Sequence, residues 1–280
     1  MRSILMAALA VVAFAANSLT ARAALADAAN DPFAFALVRL LAGAFILAAF
    51  ARAKPAVRDV AGSVALAVYM FGFAAAYTAM STATGALILF SAVQITVLAI
   101  SAARGEGLSA LGLAGSALAL AGLVFLLYDS LGSASPAPLA AMVAAGMAWG
   151  VYTVLGRGSD APVQQTARQF LLASVIAIPV FLIMAPIGSG TGLTVNGVLL
   201  ATLSGTLFSG CGYAVWYAVA PKLPAATIAS VQLMTPVVAA AMGALFLREW
   251  VDMTFVIATL VILAGIALTL WKPQASAGES

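Results

Sequence analysis

The sequence of 280 residues contains no histidine and a single cysteine, Cys211. Histidine is the commonest metal ligand and the usual general base near neutral pH. Its absence excludes histidine-based zinc sites and Ser-His-Asp triads. A single cysteine also excludes a disulfide within the chain. These two counts leave a Ser/Lys or paired-carboxylate site open, but the remaining composition offers poor material for one. We expect no metal site, no catalytic residue and no cofactor.

Charged residues are also scarce. They make up 8% of the chain, whereas 64% of the residues are hydrophobic. Soluble domains carry about 25% charged residues, so this composition predicts an integral membrane protein whose main partner is the lipid bilayer. The hydrophobic excess runs the whole length, which leaves no place for a large soluble domain. No nucleic-acid partner is expected.

Long apolar segments define the predicted fold class. A helix that crosses a bilayer needs about 20 predominantly apolar residues. Ten segments meet this requirement, which predicts an all-α integral membrane protein with ten transmembrane helices. The segments are Ile4–Ala21, Phe33–Phe50, Val60–Ala79, Ala83–Ser101, Leu108–Leu127, Pro138–Leu155, Thr166–Ala185, Asn196–Val219, Ala225–Leu247 and Met253–Trp271.

The two halves of the chain share an order of landmark residues. Glu106 precedes Gly122 by sixteen residues, and Glu249 precedes Gly265 by the same spacing. Five helices per half is an odd number, so the second copy enters the membrane upside down. Inverted repeats are typical of secondary transporters, which bind substrate near the midplane where the halves meet. The predicted domains are residues 1–130, residues 138–272 and a cytoplasmic tail of residues 273–280.

The first segment also resembles a secretory signal peptide. Arg2 precedes an apolar stretch that ends in Ala21-Arg22-Ala23, a pattern typical of a cleavage site. The repeat requires this same segment as its first helix. We therefore interpret it as a retained transmembrane helix.

Basic residues concentrate on one side of the predicted spans. Cytoplasmic loops of membrane proteins carry an excess of Lys and Arg. Only Arg22 and Arg248 lie on the opposite side from the N-terminus. We predict a multi-pass protein of a bacterial-type inner membrane with both termini in the cytoplasm. The residues on the cytoplasmic side are Arg2, Arg52, Lys54, Arg58, Arg104, Arg157, Lys222 and Lys272.

Acidic residues are confined to loops, chain ends and helix boundaries. Intramembrane carboxylates and histidines are the usual proton carriers of transporters, and none is expected at depth here. The sequence therefore argues against proton coupling through a titrating side chain. It also disfavours an intramembrane enzyme, the alternative of a different class, which would need an ionisable pair at depth. The acidic residues are Asp27, Asp31, Asp59, Glu106, Asp129, Asp160, Glu249, Asp252 and Glu279.

Neutral polar and aromatic side chains remain as candidates for a binding site. Each mid-helix glutamine has two interpretations of equal weight, as a cavity residue or as a hydrogen-bonded contact between helices. Aromatic residues near helix ends are often interfacial anchors, but Trp149 lies too far inside its helix for that role. The predicted substrate-binding residues are Asn17, Tyr77, Thr78, Ser91, Gln94, Trp149, Tyr152, Tyr213, Trp216, Gln232 and Thr235.

Two prolines and one arginine lie inside predicted helices. Pro236 cannot donate to the Gln232 carbonyl, which predicts a hinge or a packing kink near the membrane centre. Pro179 is a second predicted hinge. Arg39 is the charge placed most plainly within a helix. We expect it to extend its guanidinium to the interface, with an outer vestibule as the alternative.

Several of these features together resemble a known family. The five-plus-five repeat, Trp149-Gly150, Met234-Thr235-Pro236-Val237 and the stretch from Glu249 to Ala264-Gly265 resemble the EamA family of the drug/metabolite transporter superfamily over nearly the whole chain. Within it, the sequence is most similar to YddG-type amino-acid exporters. The first half departs from the usual pattern, with Phe14 in place of a common tryptophan and Ile95 in place of a typical proline.

The resemblance implies a basket-shaped fold with a central cavity lined by helices 1–4 and 6–9, and transport by alternating access. We expect a monomer. A neutral, aromatic cavity suits a zwitterion, since an ammonium group can meet ring faces and a carboxylate can meet Tyr, Trp and amide donors. We therefore expect export of amino acids, including neutral and aromatic ones. Export of drugs or of other small metabolites is the alternative.

Overall fold

Every element of the described chain is helical. The computed structural model describes residues 2–50, 54–105, 110–133, 136–156, 159–184, 192–219, 232 and 234–270. Within these ranges there is no β-strand. The all-α prediction is therefore confirmed for this part of the chain. The predicted cytoplasmic tail, residues 273–280, lies outside the described residues.

The described residues of the first half form five α-helices. A single 3₁₀ turn, Val57–Asp59, leads directly into the third of them. Asp129, which the sequence placed in a loop, falls inside the fifth helix because that helix continues beyond the predicted end at Leu127. The helices are α1 (Arg2–Leu25), α2 (Pro32–Ala48), α3 (Val60–Tyr77), α4 (Thr82–Ala103) and α5 (Ala110–Ser133).

The second half is also helical throughout its described residues. Its third helix contains a π-helical segment, Ser204–Cys211, between two α-helical stretches. Most of the predicted ninth segment before Met234 lies outside the described residues. The helices are α6 (Pro136–Gly156), α7 (Pro162–Met184), α8 (Val195–Val219), α9 (Thr235–Leu247) and α10 (Met253–Leu270).

Six of these helices are long and apolar enough to cross a membrane. They include α3 with its preceding turn (Val57–Tyr77) and the whole of α8 (Val195–Val219). The apolar stretches of α2, α5, α9 and α10 are shorter in the described residues. The described part of the chain is therefore that of a multi-pass membrane protein.

Side-chain caps explain where several helices begin. A carboxylate or hydroxyl before the first turn accepts a hydrogen bond from a backbone N–H that has no partner within the helix. Asp31 Oδ1 accepts from the Ala34 N–H at 2.7 Å at the start of α2. Thr194 Oγ1 accepts from the Gly197 N–H at 3.0 Å at the start of α8. These acceptors fix the residues at which α2 and α8 begin.

The most extensive contacts between helices follow a regular rule. Helix α5 packs on α10, α2 on α7, and α4 on α9. The contacts of α3 with α6 and α7 correspond to those of α8 with α1 and α2, and the contact of α4 with α6 corresponds to that of α9 with α1. Replacing each helix by the one five places along the chain converts each of these pairs either into itself or into another pair of the set.

Helices α5 and α10 form a tight pair of their own. A Cβ atom added to Gly265 would lie 2.5 Å from the backbone nitrogen of Ala119 and 2.6 Å from the Gly115 carbonyl oxygen. Only glycine allows this approach of two backbones, as is common where small residues pack between membrane helices. This pair contacts the remaining helices mainly through α4.

Candidate functional site

A small cavity lies among α1, α3, α4, α6 and α8, and all of its lining residues are buried. Its volume is about 10 Å³, which is room for about one water molecule. The polar and aromatic walls are therefore nearly in contact. The lining residues are Phe14, Asn17, Tyr69, Phe73, Leu89, Phe90, Trp149 and Tyr213.

Trp149 lies at the centre of the aromatic lining. Its ring centroid lies 4.9 Å from that of Tyr69 and 4.9 Å from that of Tyr213. It stacks on Tyr152 at 5.2 Å with an interplanar angle of 22°. Phe14 contacts Trp149 edge-on at 6.3 Å. Rings from α1, α3, α6 and α8 thus meet on one indole, and a movement of any of these helices would change the cavity.

A chain of hydrogen bonds joins the cavity wall to a buried arginine. Asn17 Oδ1 accepts from the hydroxyls of Ser204 at 2.7 Å and Ser209 at 3.2 Å. Ser209 Oγ in turn accepts from Arg39 Nε at 3.1 Å, and Arg39 Nη2 donates to the Tyr69 hydroxyl at 3.1 Å. The chain therefore connects α1, α2, α3 and α8.

The π-helical segment of α8 explains why two serines reach one asparagine. Ser204 and Ser209 are five residues apart, and the i to i+5 hydrogen bonds of a π-helix place such residues above one another. In an α-helix, with 3.6 residues per turn, they would point in different directions. Gly205 lets α2 approach this segment, because an added Cβ would lie 2.9 Å from the Ala42 side chain.

The prediction that Arg39 extends to the interface is wrong. Its side chain is buried, with 0% exposure, and its guanidinium carbon lies 4.7 Å from the Phe73 ring centroid and 5.4 Å from that of Tyr69. The neutral cavity expected from the sequence is therefore wrong in one respect, because a buried cation lies against two of its lining residues. Tyr69 and Phe73 of α3 and Ser209 of α8 lie against the side chain, and Ser209 and Tyr69 accept its hydrogen bonds.

The structure separates the predicted binding residues into three groups. Asn17, Trp149 and Tyr213 line the cavity. Tyr152 and Trp216 adjoin it through ring contacts with Trp149 and Phe14. The remaining predicted residues lie outside the lining, and their role in binding stays a prediction: Tyr77, Thr78, Ser91, Gln94, Gln232 and Thr235.

Local contacts explain several of the residues outside the lining. Ser91 donates to the Leu87 carbonyl at 2.7 Å, which satisfies its hydroxyl within α4. Thr78 donates to the Ala75 carbonyl at 2.8 Å at the end of α3. The Tyr77 hydroxyl donates to the Thr82 carbonyl at 3.4 Å. These three polar groups serve their own helices or the connection between α3 and α4.

Sequence reasoning did not select Tyr69, Phe73, Leu89 and Phe90 as site residues. Apolar residues occur on every side of helices α3 and α4, so nothing in the pattern distinguishes a cavity ring from a core ring. The tyrosine hydroxyl of Tyr69 is the one usable signal, because a buried hydroxyl needs a partner.

The two predicted hinge prolines occupy different positions. Pro236 lies in the first turn of the described helix α9, where a missing N–H removes no intrahelical hydrogen bond. The sequence predicted a position inside a helix for Pro236, whereas the described residues place it at the start of one. Pro179 does lie inside α7, where proline bends a helix. A hinge function of either residue stays a prediction.

An ion pair lies at each end of α3. At its C-terminal end, Arg22 Nε lies 3.2 Å from Glu249 Oε1, and Glu249 Oε2 accepts from the Thr82 N–H at 2.8 Å. At its N-terminal end, Arg168 donates to both carboxylate oxygens of Asp59, at 2.9 and 3.2 Å. The 18 residues of α3 separate the two pairs by about 27 Å. The cavity lies between them.

Comparison with known proteins assigns this chain to a family. Residues 137–271 match the EamA-like transporter family. The Uncharacterized protein PA1977 of Pseudomonas aeruginosa is 46% identical over 277 residues, which cover 96% of this chain and 94% of that protein. The chain belongs to the EamA-like transporter family. The predicted family is thus confirmed, and the EamA-like chain is a membrane transporter of the drug/metabolite type, a class whose members are generally not enzymes.

A protein of known crystal structure has the same fold as this EamA-like chain. It superposes with a TM-score of 0.66 at 20% sequence identity, over 96% of this chain and 96% of that protein. At this identity the similarity concerns the fold alone.

Proposed function

We propose that this protein is a secondary exporter of amino acids, including neutral and aromatic ones, in a bacterial-type inner membrane. The observation that carries the proposal is the small aromatic cavity around Trp149, between ion pairs at the two ends of α3. Ring faces attract an ammonium group and pack against an apolar side chain. Asn17 and Tyr213 add neutral polar groups to the same lining.

The helix contacts support a two-repeat organisation of ten spans. Three of the contacts, α2 with α7, α4 with α9 and α5 with α10, join helices that occupy the same place in the two halves. Such exchange symmetry is expected of inverted repeats, in which one half rocks against the other around a central site. We propose that residues 1–130 and 138–272 are these repeats and that a monomer is the working unit.

Alternating access also needs a barrier on each side of the site. We propose that the pair Arg22–Glu249 closes the outer side and Asp59–Arg168 the cytoplasmic side. The orientation follows from the excess of basic residues on the side of the N-terminus. Substrate release to one side then requires one pair to separate while the other remains closed.

Transport by the purified protein in liposomes tests the proposal. A panel of labelled amino acids, organic cations and sugar phosphates should show movement of neutral and aromatic amino acids. Trp149→Ala should slow it, because the indole contacts rings from three other helices. Trp250→Ala is the matched control, since Trp250 is 98% exposed in the loop before α10.

One outcome would contradict the proposal, and another would reassign two of the predicted site residues. Movement of only cations or only phosphorylated compounds would refute the amino-acid substrate and favour a drug or other metabolite. Gln94→Ala and Gln232→Ala, measured beside Trp149→Ala at equal amounts of folded protein, test the glutamines. Unchanged transport in both would assign them to contacts between helices.

A further inference from the structure

Arg39 is a buried cation without an anionic partner among the described residues. The ion pairs of that part of the chain use Arg22 with Glu249 and Arg168 with Asp59. Arg39 makes two hydrogen bonds to neutral hydroxyls, and its Nη1 atom has no hydrogen-bond partner. Burial of an unpaired charge is costly, and an intramembrane ionisable residue indicates a functional site whose partner should be identified.

The environment of Arg39 connects this charge to the cavity. Two residues that line the cavity, Tyr69 and Phe73, lie against the guanidinium. A third, Asn17, is joined to it through Ser209. The hydroxyl of Tyr213, 1% exposed and also in the lining, likewise makes no hydrogen bond in the described structure. Two buried donors thus lack acceptors in and beside the same cavity.

We propose that Arg39 is the receptor for the carboxylate of the transported molecule, which therefore combines an aromatic or apolar body with one carboxylate. This inference rests on the proposed function, because it names a chemical requirement of the substrate in the same cavity. The anion accepts from Arg39 Nη1 and from the Tyr213 hydroxyl as the walls separate. The rings of Tyr69 and Phe73 hold the guanidinium plane and leave its edge for hydrogen bonds.

The chemistry favours a carboxylate over the other common anions. A phosphate group carries more charge and is usually bound by several cations or by backbone N–H groups. Here one guanidinium stands among aromatic rings, which matches a single negative charge. The positive charge of Arg39 also repels an organic cation that carries no carboxylate of its own.

Ligands that differ only in their charged groups test the inference on the full-length protein. Phenylalanine, phenylalaninamide and 3-phenylpropionate share a ring, but the amide lacks the carboxylate and the propionate lacks the ammonium group. Binding is measured by quenching of tryptophan fluorescence, and movement by counterflow in liposomes. We expect the two carboxylates to bind at least tenfold more tightly than the amide, as for a charged hydrogen bond (about tenfold to 100-fold).

Variants of Arg39 provide the second comparison. Arg39→Lys keeps the charge and should retain the preference for carboxylates with lower affinity. Arg39→Met should bind phenylalanine and its amide equally. Arg104→Met, at an exposed position, should behave as the wild type. If Arg39→Met does not fold, the ligand comparison in the wild type and in Arg39→Lys decides.

The outcomes separate this inference from the proposed function. Equal binding of phenylalanine and its amide by the wild type would overturn the carboxylate receptor, while amino-acid export would survive. Arg39-dependent binding of 3-phenylpropionate without any movement of amino acids would support the receptor and refute the amino-acid substrate. A wild-type protein that binds none of the three compounds would overturn the inference.

Discussion

Replacing Asp59 by asparagine should destabilise the protein strongly. The Asp59 carboxylate faces three donors: Nε and Nη2 of Arg168 at 2.9 and 3.2 Å, and the Ala56 N–H at 2.9 Å. An asparagine amide has one acceptor oxygen, so in either orientation its NH₂ group must face at least one of these donors. The guanidinium of Arg168 also keeps its full charge after the partner charge is removed.

The structure sets the size of this effect. Asp59 and Arg168 have side-chain exposures of 1% and 9%, so solvent compensates little for the lost charge. Breaking a buried ion pair by removing one partner costs about 3–5 kcal/mol. Asp160→Asn is the control, because Asp160 is exposed, and surface substitutions change stability by about 0.5 kcal/mol or less. Equilibrium unfolding in mixed detergent micelles measures both variants.

A double-mutant cycle separates the ion pair from other effects. Arg168→Met and the double variant with Asp59→Asn complete the cycle. The double variant should be less destabilised than the sum of the single variants, by about 2 kcal/mol, because it buries no unpaired charge. Strictly additive effects would refute the reasoning. A loss of less than about 1 kcal/mol in Asp59→Asn would also refute it.

Three further predictions follow from the packing, the charges and the composition. Gly146→Ala should lower the amount of folded protein in size-exclusion profiles, because its Cβ would lie 2.6 Å from the Leu89 carbonyl oxygen, whereas Gly192→Ala adds its methyl group to open space and should have no effect. Reporter fusions at Ser280 and in the loop of residues 52–58 should report the cytoplasm; a fusion at Ser280 on the outer side would contradict the ten-span topology. An imposed pH gradient should leave the equilibrium distribution of substrate in liposomes unchanged, because the sequence has no histidine and its acids lie at or near helix ends. Accumulation that follows the gradient and collapses with a protonophore would show the opposite.

Helix positions were predictable because the membrane imposes one solution on a long apolar segment. Backbone groups have no water to bind in hydrocarbon, so such a segment must be helical. Each of the ten predicted segments accordingly overlaps a described helix. Residues such as Asp31 and Thr194, which accept from the first turn, are also readable as caps from sequence. The observed helix ends differ from the predicted ones by a few residues, because apolar composition does not mark the last turn of a helix.

The site was only partly predictable. Trp149 was selected because an interfacial role does not fit its depth, and it is central to the cavity. Tyr69 and Phe73 were not selected, because aromatic residues on a helix that is apolar all round give no direction. The pairing of Asp59 with Arg168 was missed as well, since these residues lie 109 positions apart in the chain.

The sequence by itself determined that this protein lies in a lipid bilayer, that its secondary structure is helical and that it belongs to its family. Those properties depend on composition, on the length of apolar segments and on the order of a few landmark residues, which are all local or additive. Only the tertiary structure decided the environment of Arg39. Its depth along α2 suggested a route to the interface, but α3 and the π-helical segment of α8 cover it, and Ser209 of that segment accepts a hydrogen bond from it. The electrostatic character of a membrane site depends on which helices surround a charge, and that is a property of packing between segments distant in sequence.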